Sequence, residues 1–189
     1  TPLPSLPAPT PTLTPAPVGG AIFSDTFAHY ADGLITNEYA FYNNGSGAKK
    51  SDAWEMTSGS LFSSDGAAWT GVPDSGTAPN ALSSNANNSG VFRLTTKRSD
   101  FKDVKVAFQL MNQGYKTGKS TPAVDWDGAH VFLRYQSQYH LYYVSVNRRD
   151  NGVIIKKKVP GGPSNGGTYH NLGASSRYAV PFNEWQNIE

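Results

Sequence analysis

Cysteine is absent from all 189 residues. That excludes a disulfide framework and a thiol nucleophile. Long apolar runs are absent too, and none approaches the ~18 residues of a membrane span. Charge is sparse, at 16% Asp, Glu, Lys and Arg with a formal net charge of +2. Nucleic-acid binders carry a concentrated basic stripe, so no nucleic-acid partner is expected. Glutamate occurs only at Glu38, Glu55, Glu184 and Glu189. No long stretch combines a 3.6-residue period with Ala, Leu, Glu and Lys enrichment, which leaves little room for helix.

Glycine, serine, asparagine, threonine and tyrosine are abundant instead, a mix that suits turns and strands. "TPLPSLPAPTPTLTPAPVGG" (1–20) holds seven of the thirteen prolines. Alternate prolines favour polyproline II and cannot pack a core, so this segment reads as a semi-rigid spacer. Such spacers tether secreted or surface-attached domains, and an extracellular or cell-surface location is the expectation. The sequence opens without a signal-peptide pattern, and a mature chain is one expectation.

The domain is expected over 21–189. "WEMTSGSLFSSDG" (54–66) reads as a hairpin around Ser58-Gly59. "GVFRLTTK" (90–97) and "DVKVAFQLM" (103–111) alternate as strands, and 112–128 reads as a loop. The class is therefore all-β, with strands enough for a sandwich or jelly roll. "HVFLRYQSQYHLYYVSVNRRDNGVIIKKKV" (130–159) reads as three consecutive strands. Asn151-Gly152 predicts a two-residue type I′ turn, which sets Arg148 opposite Ile155 and Val146 opposite Lys157. A loop at Gln136-Ser137-Gln138 sets Arg134 opposite His140 and Phe132 opposite Tyr142. Alternation then places His130, Phe132, Arg134, His140 and Tyr142 on one polar and aromatic face. Val131, Leu133, Leu141 and Tyr143 form the opposite, core face. "VPFNEWQNIE" looks like a turn leading into a strand begun at Trp185, and a sandwich continuing beyond Glu189 is expected.

Four stretches carry a resemblance: "FSDTF", "SGSLF", "HVFLRYQSQYHLYYVSVNR" followed by "GVIIKKKV", and "FNEWQNIE". Together they resemble the concanavalin A-like lectin/glucanase superfamily, in its laminin G-like and polysaccharide-lyase-like branches. The likeness spans most of 21–189. It implies a two-sheet antiparallel jelly-roll sandwich whose concave face meets a carbohydrate.

Three chemistries fit such a face to different degrees. Glycoside hydrolysis needs two carboxylates flanking the scissile bond. None of the four glutamates stands in a paired-carboxylate motif, and Asp125 and Asp127 lie at a loop-to-strand junction. Elimination on a polyuronate needs a cation for the uronate carboxylate, a base for the C5 proton and an acid for the leaving oxygen. Arg134, His130, His140 and Tyr142 are the candidate catalytic set. Their bland alternative is ordinary strand residues of high β propensity. Polysaccharide binding asks least, and it is the leading reading. Trp69, Trp126, Tyr142, Trp54 and Tyr115 are candidate stacking rings, and Arg134, Arg148 and Lys157 are candidate polar contacts. Each ring is also a candidate for core packing. The resemblance further implies a structural calcium near the first strand, where Asp25 stands as the candidate ligand or, equally, as a turn cap. His130 and His140 show no zinc spacing. The lysines of "IIKKKV" read as edge-strand protection or as attraction to an acidic polysaccharide. Asn44 and Asn87 open Asn-X-Ser patterns that read as turn residues. A structural or adhesive surface domain is the third reading.

Overall fold

The computed structural model describes residues 20, 22–38, 48–72, 92–118 and 122–189, and every regular element in them is β. The all-β expectation holds. The Pro/Thr-rich opening and the Asn44 and Asn87 sites lie outside the described residues. The chain divides into two compact units, Thr1–Ser99 with Lys116–Pro122, and Asp100–Tyr115 with Ala123–Glu189.

The first unit runs β1 (Gly33–Thr36), β2 (Trp54–Ser58), β3 (Leu61–Ser64), β4 (Ala67–Trp69) and β5 (Arg93–Thr96). Strands β1, β3 and β4 form one antiparallel sheet and β2 pairs with β5 in another. The hairpin expected at Ser58-Gly59 is a change of sheet instead. Met56 on β2 and Leu61 on β3 are both fully buried, and both meet Ile35 of β1 in one core. Burying those side chains outweighs pairing the two strands. Gly59 turns the corner at φ 78°. The hairpin comes a few residues later, where Asp65 and Gly66 take φ 52° and 73° between β3 and β4. Positive φ at both central residues is the type I′ signature, and Asp-Gly supplies it with least strain. Phe27, Tyr30, Trp54, Phe92 and Leu94 pack around the core.

The second unit holds β6 (Phe108–Leu110), β7 (Ala129–Ser137), β8 (His140–Val146), β9 (Gly152–Ser164), β10 (Gly167–Asn171), β11 (Ser176–Arg177) and β12 (Gln186–Ile188). Its main sheet has the antiparallel order β10-β9-β8-β7, with β11 also on β9. The closing "FNEWQNIE" contributes β12, which pairs with β6.

The three expected strands form, but in a different register. Phe132 lies opposite Tyr143 and Leu133 opposite Tyr142, one residue away from the predicted pairing. Two features set it: Ser137 pairs with His140, so the turn is Gln138-Tyr139 and not Gln136-Ser137-Gln138, and a bulge between Leu133 and Ser137, where Arg134 takes φ 49°, holds two extra residues of β7. The bulge shifts the register by two residues and the shorter turn by three in the opposite sense, a net of one, and an odd shift reverses which side chains share a face. On the next pair, Tyr142 lies opposite Lys157 and Val144 opposite Ile155. A five-residue loop, 147–151, replaces the Asn151-Gly152 turn. Asp150 holds it closed, accepting from Arg148 Nε at 2.8 Å and from the Gly152 N–H at 2.8 Å. Asp127 anchors it from outside, accepting from Arg149 Nε at 3.1 Å and Nη2 at 2.9 Å. This second shift moves each partner by four residues, an even number, so the relative faces of β8 and β9 stay as predicted.

Candidate functional site

Strand pairing sorts the main sheet into two faces. One face carries the rows His130–Ser145–Ile154, Phe132–Tyr143–Lys156–Asn171 and Leu141–Lys158–Tyr169. The other carries Val131–Val144–Ile155 and Leu133–Tyr142–Lys157–His170.

Tyr143 is the hub of the first face. Its ring is 8% exposed. Three further rings stand nearly perpendicular to it: His130 at 5.4 Å, Phe132 at 6.1 Å and Tyr169 at 5.6 Å between centroids. Edge-to-face contact places the positive rim of one ring against the negative face of the next, and it fixes all four orientations. The outer rings keep open surface, with Phe132 42% and Tyr169 43% exposed. Two ammonium groups approach Tyr169, Lys158 at 4.7 Å and Lys156 at 5.8 Å from the ring centre. Lys158 is buried and donates to the Gln138 carbonyl at 2.8 Å. Beside His130, the Ser145 hydroxyl is buried without a hydrogen-bond partner among the described residues, and Asn147 Nδ2 is in the same condition.

The electrostatics single out His130. Its pKa lies below the ordinary imidazole value, first because of desolvation and then because Arg148 and Lys156 are near. The residue is nevertheless solvent-exposed. Its ring hydrogen-bonds the Trp126 backbone, and at neutral pH it is an uncharged imidazole. Burial raises the Tyr143 phenol. The Arg148 guanidinium, hydrogen-bonded to Asp150, holds that carboxyl far below the usual range.

The residues anticipated for the site are dispersed. His130 lies on the Tyr143 face. Tyr142, His140 and Lys157 lie on the opposite one, because the net one-residue shift between β7 and β8 reverses the faces. Arg134 sits in the bulge and bonds Asp103. Arg148 is beside His130 but buried against Asp150. Trp126, 58% exposed, stands at the His130 end of the face. Trp69 belongs to β4 of the first unit and packs on Phe62 at 5.8 Å. Trp54 stacks on Phe27 and donates its indole N–H to Asp25 Oδ2 at 2.7 Å. Tyr115 donates to the Asn147 carbonyl at 2.8 Å beneath the Arg149 guanidinium. Asp25 Oδ1 accepts from the Phe27 N–H at 2.7 Å, so this carboxylate caps the turn that holds Phe27 at φ 62°. Among the described residues no group of three or more His, Cys, Asp or Glu gathers as a metal site, and no helix is long and apolar enough to cross a membrane.

Sequence reasoning missed Tyr169, and it left Lys156 and Lys158 out of the site although it set them on the face away from Lys157. β9 runs 13 residues, through the stretch 160–164, and so carries the sheet on to a fourth strand. The first unit has a cavity of about 420 Å³ lined by His29, Tyr30, Ile35 and residues 49–53. Its lysines are engaged, Lys49 by the Leu34 carbonyl and Lys50 by Glu38, so the sheet face is the stronger site. Neither family models, nor curated proteins, nor solved structures give a match to this chain.

Proposed function

We propose that this is a secreted or surface-attached polysaccharide-binding domain, and that the Tyr143 face of the main sheet is its platform. One observation carries the reading: three part-exposed rings are held rigid around one buried ring. Stacking on sugars needs flat apolar surface already fixed in place, so that little side-chain entropy is lost on binding. Four strands at ~4.8 Å spacing make the platform about 14 Å wide, the reach of a short oligosaccharide. In the full proposal the sheets close as a two-layer jelly roll of concanavalin A-like type, with this face concave. A calcium at Asp25 would need further oxygen ligands from backbone carbonyls.

Affinity electrophoresis through gels containing one polysaccharide each tests the platform. Retardation by at least one polymer is expected, abolished in Phe132→Ala/Tyr169→Ala and kept in Tyr142→Ala. Loss of retardation in Tyr142→Ala alone would move the site to the other face.

A second reading has one observation in its favour. Uncharged His130, beside the cations Arg148 and Lys156 and the Tyr143 ring, has the form of a general base near positive charge, as β-elimination on a polyuronate requires. Ultraviolet absorbance during incubation with polyuronates checks it. A rise abolished by His130→Ala makes the domain a lyase, and a flat trace leaves a binding module.

A further inference from the structure

The chain's small net charge conceals a segregation. Residues 128–183 contain seven Lys or Arg and a single acid, Asp150, while the rest of the chain contains nine and thirteen. The four paired strands β7 to β10 contain no Asp or Glu at all. The lone acid is already engaged, by Arg148 and the Gly152 N–H. Arg134 and Arg149 have partners in Asp103 and Asp127. Lys156 and Lys158 have no carboxylate partner among the described residues. Lys158 is 3% exposed, with only a carbonyl and an aromatic ring to compensate its ammonium. A buried cation without a counter-charge costs stability, and it projects a field that water does not fully screen.

We infer that the platform's ligand is a polyanion, a polysaccharide bearing carboxylate or sulfate groups, and that Lys156 with the buried Lys158 supplies the attraction while Phe132 and Tyr169 supply the stacking. This rests on the platform reading above. The anion restores to the face the counter-charge that its own strands lack. Lys157 serves as an internal reference, because it has the same charge one residue away and projects from the other face beside Tyr142 and His170.

The test titrates the full chain with alginate (carboxylate), dextran sulfate (sulfate), dextran (neutral) and single-stranded DNA, at low salt and at about 0.5 M salt, where screening acts within a few ångströms. Alginate or dextran sulfate is expected to bind at least tenfold more tightly than dextran, more weakly at high salt, and more tightly than DNA. Whichever polymer wins identifies the anionic group. Lys156→Gln is expected to weaken that binding about tenfold, and Lys157→Gln less than twofold. Equal loss in both variants would overturn the inference, since the attraction would then belong to no particular face. Equally tight binding of dextran and dextran sulfate, lost in Phe132→Ala/Tyr169→Ala, would overturn the anion while sparing the platform. DNA as the tightest ligand would overturn the polysaccharide, and no binding to any polymer would overturn the platform itself.

Discussion

In the first unit Met56 and Leu61 are fully buried, and Phe62 and Ile35 are within 3% of it. In the second, Leu141, Tyr143 and Val146 are buried together with Ser145, Asn147, Arg148 and Lys158, while Phe132, Tyr135, Tyr142, Ile155, Tyr169 and Tyr178 are each more than 40% exposed. The first unit has a packed apolar core, and Thr36, Glu38, Ser60, Ser63 and Ser64 are buried in the same unit. The second is held by strand pairing and by the Arg148–Asp150 and Arg149–Asp127 pairs, and its rings are spread over the surface. Large aromatic side chains left open on a rigid sheet have no folding role that smaller polar residues could not fill, whereas they suit a surface that meets a ligand. On the proposed function, the exposed rings of the second unit are where recognition takes place.

The largest effect that sharpens this contrast is in the first core. Met56→Ala is expected to cost about 2–5 kcal/mol in urea denaturation. Ile155→Ala, on the open face of the second sheet, is expected to cost no more than about 0.5 kcal/mol. Comparable losses would break the contrast. Next is the loop of the second unit. The depressed Asp150 pKa means that its contribution is present above the ordinary carboxylate pKa and is lost as pH falls below about 4. Asp150→Asn is therefore expected to lower Tm at pH 7 and to approach wild type in acid, as thermal melts across pH will reveal.

A smaller effect belongs to His130. Its depressed pKa means that protonation favours the unfolded chain, so its adverse contribution grows as pH falls below about 6.5. The groups around it are Arg148, Lys156, Asp127, the Tyr143 ring and the Trp126 backbone. His130→Gln is expected to melt close to wild type at pH 8 and above it at pH 5. Bound polyanion reverses the sense, since an anion beside His130 favours its charged form, and affinity is expected to rise as pH falls. The smallest effect is that of Tyr142→Ala, which should leave polymer binding unchanged.

Much of the second sheet was legible in the sequence. The Val, Ile and Tyr runs between residues 130 and 159 locate three strands, and the absence of helical periodicity fixes the class. The face was not legible. It turns on a net shift of one residue, from a turn at Gln138-Tyr139 in place of Gln136-Ser137-Gln138 and a two-residue bulge at Arg134, and the alternation around them announces neither. The loop at 147–151 was misread because Asn151-Gly152 satisfies the local rule for a tight turn, while two ion pairs stabilise a wider one. The Ser58-Gly59 hairpin failed for a tertiary reason, the meeting of Met56, Leu61 and Ile35. The charge segregation lay in plain view, but an average over the whole chain cancels it.

The most direct test of the Tyr143 face as the ligand surface is fluorine NMR of the chain with fluorinated tyrosine, the signals assigned by single Tyr→Phe changes, during titration with the polymer that binds best. The platform account predicts that Tyr169 shifts and broadens on titration while Tyr142, across the sheet, stays in place. Movement of Tyr142 with Tyr169 unchanged would contradict it.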